Sequence, residues 1–353
     1  MRRHHAWLVA LLALATSACA GLGPREQARV ETLVQQARSD ALTCDRADAC
    51  ARHSPLREMA LDALGPDVPR DLPRVPAPVA EAAAPLPATD EAAADIPAAA
   101  DLPAPAPAPA PASAPQHRAL ILDYGQDALI ARIDLIRGAT RSIDVQTYIF
   151  DEDDAGHLVL DELLAAARRG VKVRLLIDQL AALRRVDTLV GLAGAHENLE
   201  VRLYNPVLGR GRFGYPMYAV ATLCCFRRLN QRMHNKLMVV DGVVAITGGR
   251  NYQNDYFDWD AEYNFRDRDL LVAGPETRAM QAHFDAFWNA PLSTPLSQLR
   301  DVGKFVLENG VTPVVHHQAD RPERIARITR DADDAALVRA RLVAATLTVR
   351  DLR

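Results

Sequence analysis

The stretch Arg227–Asn251, RRLNQRMHNKLMVVDGVVAITGGRN, gathers a histidine, a lysine, an aspartate and an asparagine around two short apolar runs. Read as a strand, it turns His234 and Lys236 to one side, because residues i and i+2 share a face. Asp241 falls at the following turn, from which it can fold back near them. Gly248, Gly249 and Asn251 come after the second strand, where small residues let backbone approach a ligand. A nucleophile or base, a fixed cation and an amide donor in one pocket suit a phosphate. Lys236 and Asn251 can stabilise charge on phosphoryl oxygens in the transition state. His234 can attack phosphorus and split one hard displacement into two easier ones. Lysine supplies the cation, so the set requires no metal and no cofactor is expected. A His-x-Lys pair alone is commonly a solvated surface pair. The aspartate at its fixed offset and the Gly-Gly-x-Asn run set this one apart.

The surrounding chain must hold these residues still. DALIARIDLIRGA carries apolar residues at helical spacing, and SIDVQTYIF (142–150) reads as a strand. GHLVLDELLAAARRG (156–170) reads as a helix ended by Gly170, and VKVRLLID (171–178) as a strand. A helix near 183–193 and a strand near 199–204 follow. KLMVV and VVAIT form two strands joined at Asp241-Gly242, a hairpin turn pair. RDLLVAG is another strand, and PETRAMQAHFDAFWN a helix with Pro275 at its start. This alternation predicts an α/β layered domain.

HNKLMVVD (234–241) resembles the His-x-Lys-x4-Asp signature of the phospholipase D superfamily. RLNQRMHNK and GGRNYQNDYF look like bacterial cardiolipin synthases and related phospholipase D-like proteins. SIDVQTYIF, AARRGVKVRLLID and FRDRDLLVAGP are similar to the same group, and the likeness runs over residues 117–290. It implies a central mixed sheet flanked by helices. It implies that His234 is the nucleophile or its acid/base counterpart, that Lys236 and Asn251 bind phosphate, and that Asp241 supports the loop by hydrogen bonds. The family often has serine where Gly249 stands. An acidic residue often holds the histidine's second nitrogen and fixes its tautomer; Glu262 is the first candidate and Asp267 the second.

The chain departs from that pattern in one respect. Such enzymes place two motifs at one shared site, whereas this sequence has a single His-x-Lys. VVHHQAD (314–320) lacks the lysine, so His316 and His317 read as loop or surface residues. Three explanations stay open: a truncated two-motif enzyme, which is the favoured expectation, a site built by a homodimer across a two-fold axis, or an inactive remnant.

The N-terminus, MRRHHAWLVALLALATSACAG, has a basic start, a short apolar run and small residues, which is a secretory signal pattern over residues 1–18. TSAC (16–19) resembles a lipoprotein box that would lipidate Cys19; ACA (18–20) also fits ordinary cleavage. Either makes the protein exported and bacterial: a membrane-anchored lipoprotein, or periplasmic. Residues 19–68 read as a small helical region. Residues 69–116 are proline and alanine with scattered acids, a disordered linker that packs no core. The phospholipase D-like domain occupies 117–353. Export permits a Cys44–Cys50 disulfide. Cys224 and Cys225 read as buried small apolar residues.

The run YPMYAVATLCCF (215–226) is apolar and too short to span a bilayer. It reads as a buried core helix, an acyl-chain groove or a segment dipping into the membrane interface. Arg210, Arg212, Arg227 and Arg228 bracket it; Arg228 is also a candidate substrate contact beside Gly248 and Gly249. The formal charge is −4, which argues against a dedicated nucleic-acid binder. The expected partners are a phospholipid substrate and a membrane surface. The expected activity is phosphatidyl transfer or hydrolysis of the cardiolipin synthase type, through a phosphohistidine. The alternatives are a dimeric single-motif nuclease and a non-catalytic lipid-binding remnant.

Overall fold

The computed structural model describes residues 21–65, 116–212, 214–314 and 317–349. The signal segment, Cys19, His316 and the body of the expected linker lie outside them. Two helices, α1 (Pro24–Ala37) and α2 (Pro55–Leu64), precede the sheet. The strands are β1 (His117–Leu122), β2 (Ser142–Thr147), β3 (Lys172–Asp178), β4 (Leu199–Tyr204), β5 (Leu237–Val240), β6 (Val244–Gly248), β7 (Asp269–Ala273), β8 (Ser293–Pro295) and β9 (Leu347–Val349). They form one mixed sheet in the order β8-β4-β3-β2-β5-β6-β7-β1-β9. The architecture is the α/β layered one that the sequence implies.

Strands β2, β3 and β4 are parallel, and every other pairing is antiparallel. Parallel neighbours need a crossover. Helix α3 (Gly125–Gly138) leads into β2; α4 (Asp154–Arg168) and α5 (Val186–Ala193) supply the two crossovers. In SIDVQT, Ile143 and Val145 enter the large core that includes Leu129, Ile133, Leu160 and Leu163. The alternate residue Asp144 faces the other way and holds Arg174 and Gln281. On that second face Leu176, Leu237 and Val239 pack with Phe284 and Trp288.

The hairpin joining β5 and β6 turns at Asp241 and Gly242, whose φ angles are 53° and 69°. Val243 N–H closes the turn onto the Val240 carbonyl at 3.0 Å. Two successive positive φ values match the right-handed twist of the flanking strands.

The N-terminal helices share the domain's core, into which Val30, Val34, Leu56 and Ala60 are buried. Ser54 caps α2 by accepting from Arg57 N–H at 3.1 Å and donates to Asp134 Oδ2 at 2.6 Å. Arg57 Nε donates to Asp241 Oδ2 at 2.6 Å. Cys44 and Cys50 are disulfide-bonded.

Two readings need correction. Helix α6 (Tyr215–Asn230) forms where the apolar run predicts a helix, but it is not a core helix. Of its residues only Ala221 and Leu229 are buried. Cys224 is exposed, Cys225 half-buried, and the two are bonded to each other, so neither is a buried apolar filler. The helix kinks at Cys225, where φ is −141°. Four further helices complete the described chain: α7 (Thr277–Trp288), α8 (Arg300–Asn309), α9 (Pro322–Asp333) and α10 (Ala335–Arg341).

Candidate active site

The strand register brings the strand ends that flank His234, Lys236 and Asn251 to one edge of the sheet. Gln146 of β2 pairs with Leu237 of β5, Leu237 with Thr247, and Gly248 with Asp269. The C-terminal ends of β2, β3 and β6 therefore lie beside the N-terminal ends of β5 and β7. Open α/β sheets bind ligands at the carboxyl ends of their parallel strands.

His234 and Lys236 precede β5 rather than lying on it. They converge all the same: Lys236 Nζ is 3.2 Å from His234 Nε2 and donates to the His234 carbonyl at 2.9 Å. His234 is exposed, whereas Lys236 is 6% exposed. Burial lowers the Lys236 pKa, and the nearby Asp267 carboxylate opposes that shift. The Tyr148 ring, just past β2, stands 5.0 Å from the His234 ring and 5.5 Å from the Lys236 ammonium. That second contact is a cation–π pair.

The loop carrying His234 is held from β3. Asp178 is fully buried; it accepts from Met233 N–H at 2.8 Å and from Arg232 Nη1 at 3.1 Å. Burial raises the Asp178 pKa against those stabilising bonds. The Asn251 side is held from β7. Arg250, fully enclosed, donates to the carbonyls of Leu122, Asp123 and Tyr256 at 2.7, 2.6 and 3.0 Å. Asp269 accepts from Arg250 N–H at 3.2 Å and from Arg132 Nη2 at 2.9 Å. Asn251 Oδ1 then accepts from Ile149 N–H at 3.0 Å, which fixes its amide group.

A cleft of about 390 Å³ opens on this edge. His234, Lys236, Thr247 and Gly248 form one wall; Met280 and His283 of α7, with Glu276 just before that helix, form the other. Asn235 Nδ2 approaches His283 Nε2 at 2.8 Å across it. The volume suits a small phosphodiester head group.

Several expected residues sit elsewhere. Asp241 does not fold back to the pair. It lies beyond β5, roughly 17 Å of extended chain from Lys236. There its carboxylate accepts from the backbone N–H groups of Thr140, Arg141 and Ser142 and from Arg57. Its support is given at the opposite sheet edge. Glu262 is in an exposed turn, its N–H bonded to Asp260 Oδ1 at 2.8 Å. Asp267, the second candidate, is the carboxylate the fold brings in: a Cβ at Gly249 would lie 2.7 Å from its Cγ. Gly248 likewise leaves room for Asp269, whose Oδ1 a Cβ there would meet at 2.3 Å. Both glycines thus admit carboxylates, although Gly248 also lines the cleft. Arg228 is exposed and donates from Nε to Asn205 Oδ1 at 3.1 Å, away from the cleft lining. His317 is in a loop, as expected, but docked on Asp154 at 2.7 Å.

Sequence reasoning missed Tyr148, Asp178 and the Arg250–Asp269 pair. The first two end strands already legible in the sequence, where the carboxyl-end rule would have flagged them.

Residues 132–288 match the family model described as cardiolipin synthase, PLD-like domain. The chain carries a phospholipase D-like domain. An uncharacterised protein of Helicobacter pylori is 40% identical over 182 residues, which are 52% of this chain and 36% of that protein. Cardiolipin synthase C of Escherichia coli is 39% identical over 181 residues, 51% of this chain and 37% of that protein. The chain therefore spans little more than a third of the length of these curated relatives. The solved structure of NucT from Helicobacter pylori is 19% identical at a TM-score of 0.37, covering 51% of this chain and 98% of that one.

Proposed function

We propose that the phospholipase D-like domain cleaves or transfers the phosphodiester of a glycerophospholipid, in the manner of a cardiolipin synthase. The observation that carries this is Lys236 Nζ lying 3.2 Å from His234 Nε2 at the mouth of the cleft. His234 Nε2 attacks phosphorus, and the bond from phosphorus to the leaving alcohol oxygen breaks. The alcohol takes a proton from a second acid. An acceptor alcohol or water then gives its proton to that same group, restoring the acid, attacks the phosphohistidine at phosphorus, and the P–N bond breaks to free His234. Lys236 and the Asn251 amide offset charge on the non-bridging oxygens.

The second acid is the part a single motif does not provide. We place it on His234 of a second copy related by a two-fold axis. In co-expressed mixtures of wild type and His234→Ala, activity then falls with the square of the wild-type fraction. A linear fall would instead assign the acid to the same chain, with His283 of the cleft wall as the group to replace next.

A nuclease would use the same pair on another phosphodiester. The apolar outer face of α6, which leads directly into His234, favours lipid. The test is incubation of the full chain with phosphatidylglycerol vesicles, with products read by mass spectrometry. Cardiolipin or phosphatidic acid from wild type alone supports the reading. Turnover of oligonucleotides with none of lipid replaces it with the nuclease.

A further inference from the structure

Helix α6 presents an outer face that nothing among the described residues covers. Tyr215 is 94% exposed, Leu223 89%, Phe226 63% and Val220 40%. No charged residue occurs between Tyr215 and Phe226, and Arg227 and Arg228 follow at once. Proteins rarely leave so continuous an apolar surface in water without a partner for it. No helix of the described residues is long and apolar enough to cross a membrane.

The charge around the helix selects the partner. Residues 201–240 contain no acid; of their six arginines Arg202 pairs with Glu200 and Arg232 with Asp178, and Arg227 and Arg228 stand exposed at the end of the helix. An apolar face backed by arginines suits a helix lying in the interface of an anionic bilayer. A protein partner would more commonly bring opposite charges on both sides.

The helix is also continuous with the site. Asn205 Nδ2 donates to the Arg228 carbonyl at 2.8 Å and to the Gln231 carbonyl at 2.6 Å, and its Oδ1 accepts from Arg228 Nε at 3.1 Å, fixing the helix's C-terminal end. Three residues later the chain reaches His234.

We infer that α6 is an interfacial docking element that seats the domain on an anionic phospholipid surface. Tyr215, Val220, Leu223 and Phe226 enter the acyl boundary, and Arg227 stays among the head groups. The cleft edge is thereby brought against the bilayer. The inference deepens the proposed phospholipid activity, on which its meaning rests, but docking itself requires no turnover.

The test uses the full chain with Leu223→Trp, in a Cys19→Ser background that removes any lipid there. The probe is vesicles of brominated phosphatidylglycerol or brominated phosphatidylcholine, and the signal is the emission added over the parent chain. Quenching by brominated phosphatidylglycerol, weaker with brominated phosphatidylcholine, is expected. It should persist when His234→Ala is added, which separates docking from catalysis. Adding Val220→Glu and Phe226→Glu should abolish it. Arg227→Gln should weaken vesicle affinity about fivefold. Equal quenching by both lipids overturns the anionic partner. No quenching, with the Glu variants instead shifting a dimer to monomer in sedimentation, overturns the bilayer in favour of a second copy.

Discussion

Lys236 holds its ammonium 3.2 Å from His234 Nε2 while donating to the same residue's carbonyl at 2.9 Å. An ammonium has only donors to offer, so Nε2 faces it with a lone pair and the ring proton resides on Nδ1. That tautomer leaves Nε2 as the nucleophile. Lys236→Met should lower kcat by about 10²–10³, the cost of removing one charge-stabilising donor. His234→Ala should abolish covalent turnover. Steady-state kinetics on vesicles, with circular dichroism to confirm folding, checks both.

The two ends of β5 should separate in their effects. Asp241 is a buried acceptor for three backbone N–H groups and Arg57, far from the cleft. Asp241→Ala leaves those donors and the arginine unpaired and should destabilise the fold by about 3–5 kcal/mol. The activity of the molecules that remain folded should stay within a few-fold of wild type. Urea titration and kcat measured on the folded fraction decide this. A loss of kcat as deep as that of Lys236→Met would put Asp241 in the chemistry.

Asp178 should behave as a positioning residue. Asp178→Ala frees Met233 N–H and Arg232, both of which hold the His234 loop. It should lower both stability and kcat. Asp178→Asn keeps a carbonyl acceptor and should restore part of kcat. Equal kcat for the two variants would show that the side chain does not position the loop.

Burial raises the Asp134 pKa to about 7, against the favourable bond from Ser54. The folded chain holds this proton over a range where the unfolded chain releases it. Stability therefore falls as pH rises from the ordinary value of 3.8 toward about 7, and the loss is complete above that. Each unit is worth about 1.4 kcal/mol, so the whole effect is roughly 4 kcal/mol at most. Asp134→Asn should flatten this part of the profile and gain stability at pH 8 relative to pH 4. Urea midpoints at the two pH values measure it; parallel profiles would contradict it.

Much of this was legible in the sequence, for local reasons. SIDVQTYIF and VKVRLLID became β2 and β3 because β-branched residues alternate sides or face two buried layers. KLMVV and VVAIT became β5 and β6 because Asp241-Gly242 supports a tight turn. The His-x-Lys side chains do meet, although both precede β5 rather than sharing a strand face. What the sequence hid was set by long-range register. Asp241 seemed able to reach His234 because a turn looks close on paper, whereas β5 runs straight between them. Glu262 ranks ahead of Asp267 in the sequence, an order that is reversed once β7 fixes where each falls. The apolar run 215–226 read as core because composition alone does not say which side of a helix faces water.

The most direct measurement is the mass of the protein–lipid adduct. The full chain is incubated with phosphatidylglycerol vesicles, quenched in alkali to preserve phosphohistidine, digested and mapped. A phosphatidyl group on His234, absent in His234→Ala together with all product, is the result expected. Product formed by His234→Ala at the wild-type rate would contradict the account.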